Sequence, residues 1–498
     1  MINILNKSKG KSLFMALGFL MLLAACKKDP VVVKPDPIPP GTTGTRTELT
    51  KDSIFLYAKE TYFWNDALPT SAVFNARSYA DFDIELDKIK TYKILNGKLI
   101  DKYSFLDDGS LASELGGVSG DYGFSANFVN GDRNVLRIKY VNATSPAAKA
   151  NVKRGQQIIK LNGSTAVNGN TQANVDFLNN AIFGNKPTVS MTLKNIDGTT
   201  IDVVVTRGSY IINPVMYKNV YTIGAKKVGY LVFNSFTTNA TPKLEEAFSE
   251  FTTAGVTEVI VDLRYNGGGS VSTAIDLTNM IAPVTSNGGL MFTTYWTKTM
   301  QDGMATILKN QKFYAKGNDG ITRLYSYFDY GFKPIESDGN VERFMKKGSA
   351  NITRAYFIVT GGTASASELV INNLRPVMDV KLIGSKTYGK PVGFFAITID
   401  KLDLYIPQFQ TRNSQNFGDY FDGMPVDRVD YDDIGKDFGD PAERLLANAL
   451  SYAGTGAFLS VKAGGDRLSS TGSVFQSEVD RINEHLNSHV FIGMVGSR

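Results

Sequence analysis

The sequence predicts an α/β protein with an inserted β-rich domain and an N-terminal helical region, and three patterns lead to that reading. Between residues 228 and 451 apolar strands alternate with amphipathic helices, the order that builds a sheet covered by helices. Between about 118 and 209 the pattern changes to short strands with one or two helices, and from about 50 to 115 it is largely helical. With 498 residues, 43% of them hydrophobic, the chain can form two or three domains with their own cores.

Residues 1–25 read as a cleaved export signal: Lys7, Lys9 and Lys11 precede an apolar run over 13–25, too short to span a bilayer, which takes about 20 helical residues. The run ends in Leu23-Ala-Ala-Cys26, which resembles the lipobox of bacterial lipoproteins. That resemblance implies lipidation of Cys26 and a cell-envelope location, with the protein anchored by lipid to the outer membrane and facing the periplasm or the cell surface. Cys26 is the sole cysteine, so disulfides and thiol catalysis are both excluded. Residues 26–48, rich in Pro, Gly and Thr, read as a tether. Without the three signal lysines the formal charge falls from +5 to +2, no signature of a nucleic-acid binder.

The helical region is assigned to 49–117, where Ile54, Tyr57, Ala58 and Tyr62 keep helical spacing and Tyr62-Phe-Trp64 read as core. In 118–209, Gly120-Asp-Tyr-Gly-Phe-Ser-Ala-Asn-Phe128 and Ser145-Pro-Ala-Ala-Lys-Ala-Asn-Val-Lys-Arg-Gly155 resemble a PDZ domain. The resemblance implies capture of a protein's C-terminus by strand addition, with the carboxylate held at Tyr122, Gly123 and Phe124. The other reading of this domain is packing alone, and Lys153 and Arg154 read as solvated.

Residues 210–453 are assigned to the catalytic domain. Strands are expected over 228–236 and 256–263 with a helix over 242–254 between them, then Asp262-Leu-Arg-Tyr-Asn-Gly-Gly-Gly269-Ser, whose glycines let backbone amides face a ligand. Further on come a strand over 355–360, a small-residue loop, a helix from about 364 to 375, a strand over 380–384 and a turn ending at Lys390. Ser365 thus falls near a helix N-terminus, where unpaired amides stabilise an anion. A serine needs a base. The two histidines, His485 and His489, lie near the end of the chain, which leaves a lysine deprived of its charge by burial, and Lys390 stands one strand later.

Two other motifs carry less. Gly384-Ser-Lys-Thr-Tyr-Gly389-Lys390 fits the start of a phosphate-binding loop, but Pro391 brings neither a hydroxyl for magnesium nor an amide for phosphate. Glu484-His485-Leu-Asn-Ser-His489 spaces its histidines as a zinc pair would, without a third ligand, so these read as solvated. No metal and no cofactor are expected. Residues 454–498 carry no assigned role.

Gly362-Thr-Ala-Ser-Ala-Ser-Glu368 and Thr387-Tyr-Gly-Lys390 resemble the carboxyl-terminal processing peptidases, or tail-specific proteases, in which a lysine follows the nucleophilic serine by 25 residues, the separation of Ser365 and Lys390. The resemblance implies a crotonase/Clp-protease-like core, a Ser-Lys dyad of Ser365 and Lys390, and an oxyanion hole at Gly268 and Ala366. Its expected partners are protein or peptide substrates selected through their C-termini. Glu368 is read either as assisting the dyad or as an acid favoured by the helix dipole. Asp101-Lys-Tyr-Ser-Phe-Leu-Asp107 is similar to a family segment, with Lys102 in place of proline. Many members carry glutamine four residues after the lysine; here Phe394 stands there, which keeps a second expectation open, a catalytically weak or inactive protein-binding scaffold.

Overall fold

The computed structural model describes residues 43–129, 131–316, 319–460, 479–483, 486 and 493–496. The signal, Cys26, most of the tether, His485 and His489 lie outside the described residues.

The centre is a six-stranded sheet in the order Val215–Ile223, Lys226–Phe233, Glu258–Asp262, Arg354–Val359, Asp379–Gly384, Arg428–Val429. The first pair is antiparallel and the rest parallel. A parallel sheet must be covered on both faces. Leu231, Val259 and Phe357 face one side, packing with the helices Ala240–Ala254, Val271–Ile281 and Ala366–Leu374. Tyr230, Ile260 and Tyr356 face the other, against the helix Arg444–Thr455. Hence Glu258–Asp262 is buried along its whole length, as its apolar run predicts.

The N-terminal region packs onto this core. The helix Arg46–Thr61 starts at Thr45, whose backbone N–H donates to Glu48 at 2.7 Å, and buries Ile54, Tyr57 and Ala58 on one face. Helix content over 50–115 is lower than expected: besides Ser71–Phe74, Phe82–Lys90 and Ser110–Leu115 there are short strands, among them Phe105–Asp107, which pairs with Leu402–Tyr405.

The β-rich insert is a five-stranded sheet in sequential order from Phe124–Val129 to Thr200–Thr206, with helices Pro146–Lys149 and Gln172–Ile182. Arg154 is not solvated. Its side chain is 4% exposed, and it donates to Asp432 at 2.9 Å, to Tyr265 at 2.8 Å and to the carbonyl of Lys436 at 3.0 Å, tying the insert to the core. Asp432 also accepts from Arg264 at 2.7 Å, and Arg264 in turn holds Asp262 and Glu443. Lys153 is exposed, as expected. Among the described residues no helix is long and apolar enough to cross a membrane.

Candidate active site

The strand Arg354–Val359 delivers the chain to Thr360, and the turn that follows is tied down before the helix begins. Thr363 Oγ donates to the carbonyl of Leu263 at 2.7 Å and Ala364 N–H to that of Asn266 at 3.1 Å. Ser365 closes the turn at φ 59°, ψ −107°, a sparsely populated conformation for a residue with a side chain. Ala366 opens the helix Ala366–Leu374, so its amide has no acceptor within that helix. Ser365 is fully buried, and its Oγ has no hydrogen-bond partner among the described residues. A strained turn that presents an unpaired hydroxyl beside helix N-terminal amides is costly as mere structure.

Glu368 binds this turn to the one that carries Lys390. One carboxylate oxygen accepts from Ser365 N–H and from Lys390 N–H, both at 2.8 Å. The other accepts from Thr387 Oγ at 2.5 Å and Gly389 N–H at 2.8 Å. Thr387 Oγ itself accepts from Met424 N–H at 2.7 Å, so its proton must point at Glu368. Burial pushes the carboxyl up from its ordinary range, and the four donors reduce that rise without cancelling it. Since every partner donates, the geometry calls for the ionised form.

Lys390 is fully buried. Its Nζ lies 4.1 Å from the ring centre of Phe394 and 5.3 Å from that of Tyr103. Desolvation drives its pKa well below the ordinary lysine range, against the attraction of Asp101 and Glu368. Phe394, which stands where the resemblance expects glutamine, is therefore part of the lysine's wall, and it packs edge-on against Phe105 and Tyr405.

The pattern of residue types missed the buttress of this turn. Tyr103 donates its hydroxyl to the carbonyl of Gly389 at 2.6 Å, and Lys102 Nζ donates to that of Tyr388 at 2.8 Å. Asp101 fixes the segment by accepting from Tyr103 N–H, Ser104 N–H and Tyr62 hydroxyl. The motif around Asp101 marked these residues without giving them a task.

Gly268 stands beside Ala366: a Cβ on it would lie 3.1 Å from the Ala366 nitrogen, and its φ of +114° favours glycine in any case. Its own amide donates to Asn266 Oδ1 at 2.9 Å. Asn266, another residue without an expected role, also holds the carbonyl of Phe233 at 2.9 Å and accepts from Ser367 Oγ at 3.0 Å through its own carbonyl. In the insert, Tyr122 and Phe124 are buried, and Gly123 has φ +84° with the Cβ of Ser145 in the space a side chain would need. Among the described residues no group of three or more His, Cys, Asp or Glu could hold a metal ion.

The core sheet with its covering helices and the β-rich insert make a mixed α/β fold. Residues 227–417 match the model of peptidase family S41. It is 24% identical over 311 residues to the chloroplastic C-terminal processing peptidase of Tetradesmus obliquus, covering 60% of this chain and 57% of that one. It is 26% identical over 283 residues to the carboxyl-terminal-processing protease of Picosynechococcus sp., 56% of each chain. With the carboxy-terminal processing protease CtpA of Bacillus subtilis it shares 25% over 269 residues, 54% of this chain and 47% of that one. The chain spans about half the length of the curated relatives it matches. Among solved structures, one from Bacteroides fragilis assigned to the S41 proteases aligns over 83% of this chain and 98% of that one, with a TM-score of 0.57 and 24% identity, and shares the fold.

Proposed function

We propose that this chain is a serine endopeptidase of the cell envelope, working through Ser365 and Lys390 by way of an acyl-enzyme. The observation that carries the reading is the pairing made by Glu368: one carboxylate oxygen holds the backbones of both residues, one presenting an unpaired hydroxyl and the other a desolvated amine. Neutral Lys390 takes the proton of Ser365 as Oγ attacks the peptide carbonyl. The developing oxyanion is met by the amide of Ala366 and, once it releases Asn266, that of Gly268. Protonated Lys390 then gives its proton to the departing amine, and the neutral amine activates water for deacylation. In this scheme Glu368 positions rather than reacts.

The insert, read as PDZ-like, selects substrates through their C-termini at Tyr122, Gly123 and Phe124, with Phe124–Val129 as the edge strand to which a peptide would add. A peptide amidated at its C-terminus is expected to bind more weakly than the free acid; equal affinity would reduce the insert to packing. Cys26 supplies the lipid anchor, tested by metabolic labelling of wild type and Cys26→Ala. Phe394 beside Lys390 supports the dyad reading over the alternative of a catalytically weak or inactive protein-binding scaffold, because its ring adds to the lysine's desolvation. The deciding experiment is cleavage of an unfolded protein by wild type and Ser365→Ala. Equal rates in the two would overturn the mechanism.

A further inference from the structure

Residues of the otherwise unassigned end of the chain lie in two grooves that matter to this reading. The strand Gly493–Val495 runs parallel to Gly268–Ser270, with Gly493 opposite Gly268 and Gly493 N–H donating to the Gly267 carbonyl at 2.9 Å. Its other edge pairs with Phe394, whose N–H donates to the Met494 carbonyl at 3.1 Å and whose carbonyl accepts from Gly496 N–H at 3.0 Å. One wall is therefore the strand of the candidate oxyanion hole and the other is the stretch that follows Lys390. The Gly493 carbonyl oxygen lies 2.2 Å from where a Cβ of Gly268 would stand, and the Ala366 nitrogen 3.1 Å from the same point, so this carbonyl fills the space beside the proposed oxyanion donors. Met494 is fully buried.

The second groove is at the insert. Phe124–Val129 is an edge strand, and an edge offers unpaired N–H and C=O groups to any chain that comes alongside. At Phe128 both are taken by one carboxamide: Phe128 N–H donates to Asn483 Oδ1 at 2.8 Å, and Asn483 Nδ2 donates to the Phe128 carbonyl at 2.9 Å. Val479 and Leu486 are buried in the insert's apolar core, and Ile482 packs against it.

We propose that this part of the chain is an intramolecular ligand, Asn483 and its helix filling the peptide groove of the insert while Gly493–Val495 fills the strand-binding groove beside Ser365, so that the protein as folded here is self-blocked. The proposal rests on the peptidase reading for its meaning, though not for its geometry. It also names the kind of segment the cleft takes: extended, uncharged, parallel to Gly268–Ser270, with a small residue beside Gly268 and a flexible apolar side chain next to it. A tethered segment competes at an effective concentration on the order of mM, so a substrate must bind both grooves, or bind tightly, to displace it.

The test uses full-length protein in three forms: wild type, Met494→Asp, which places a charge in a buried apolar seat, and Gly493→Pro with Gly496→Pro, which removes two strand donors and leaves the Met494 side chain in place. Each is also made with Ser365→Ala, and thermal unfolding identifies any variant that does not fold. A fluorescent peptide of residues 490–498 is titrated onto the Ser365→Ala forms, and cleavage of an unfolded protein is measured on the others. The released forms are expected to bind the peptide about tenfold or more tightly than wild type and to cleave about tenfold or more faster. Peptide binding no stronger than to wild type would overturn the proposal, as would slower cleavage by the released forms, which would make the strand a needed part of the site. If no form cleaves, the peptidase reading fails, and the peptide titration still decides the occupancy.

Discussion

Ser365 combines two properties that a structural residue would shed: a positive φ of 59° and a buried Oγ with no hydrogen-bond partner among the described residues. Replacing it by glycine should relieve the backbone and raise stability by about 1–3 kcal/mol, while Ser365→Ala should leave stability unchanged or slightly higher, since the hydroxyl contributes no bond. Both should abolish cleavage. Urea unfolding beside turnover of an unfolded substrate checks the pair; a glycine variant less stable than wild type would show that the turn is not strained. Lys390 makes the companion prediction. Its lowered pKa should appear as a rising limb of kcat/KM well below the ordinary lysine range, and Lys390→Arg, which keeps its proton throughout, should be inactive. The sign for stability follows from the same shift. A lysine depressed in the folded state carries its full penalty below the folded pKa, and the penalty fades as pH rises to the ordinary value near ~10.4.

At the scale of elements, the strands Arg354–Val359 and Asp379–Gly384 and the helix Ala366–Leu374 were legible because each is an apolar run bounded by glycine or small residues, and the structure moves their ends by at most two positions. Glu368 was legible as a residue near the site but not as the clasp between two turns, because three of its four donors are on a turn 19 to 22 residues away. Glu368→Gln sets an amide NH2 among donors. It should cost about 1–3 kcal/mol of stability, the cost of a buried polar group left without a partner, and it should lower kcat more than it raises KM. An unchanged kcat would mean that the Ser365 and Lys390 turns hold their places without the carboxylate.

For the whole molecule, the sequence suggests a succession of domains but carries no sign of what joins insert to core. Arg154 belongs to a stretch that reads as a solvated loop, and its partner Asp432 stands 278 residues away, a pairing that leaves no local pattern. The contact is a buried cluster: Arg154 and Arg264 both hold Asp432, and the two guanidiniums keep that carboxyl down at about 2. With a folded pKa below the ordinary ~3.9, Asp432 contributes stability that is fully present above the unfolded value and is lost as pH falls toward the folded one. Asp432→Asn leaves two buried cations short of an anion and should cost about 3–5 kcal/mol at neutral pH. The gap between wild type and variant should narrow as pH is lowered from about 4 to about 2, because the wild-type carboxylate is itself being neutralised there. Urea unfolding of both proteins at several pH values measures this. A gap that stays constant down to pH 2 would mean that Asp432 supports the junction between insert and core by its shape and hydrogen bonds rather than by its charge.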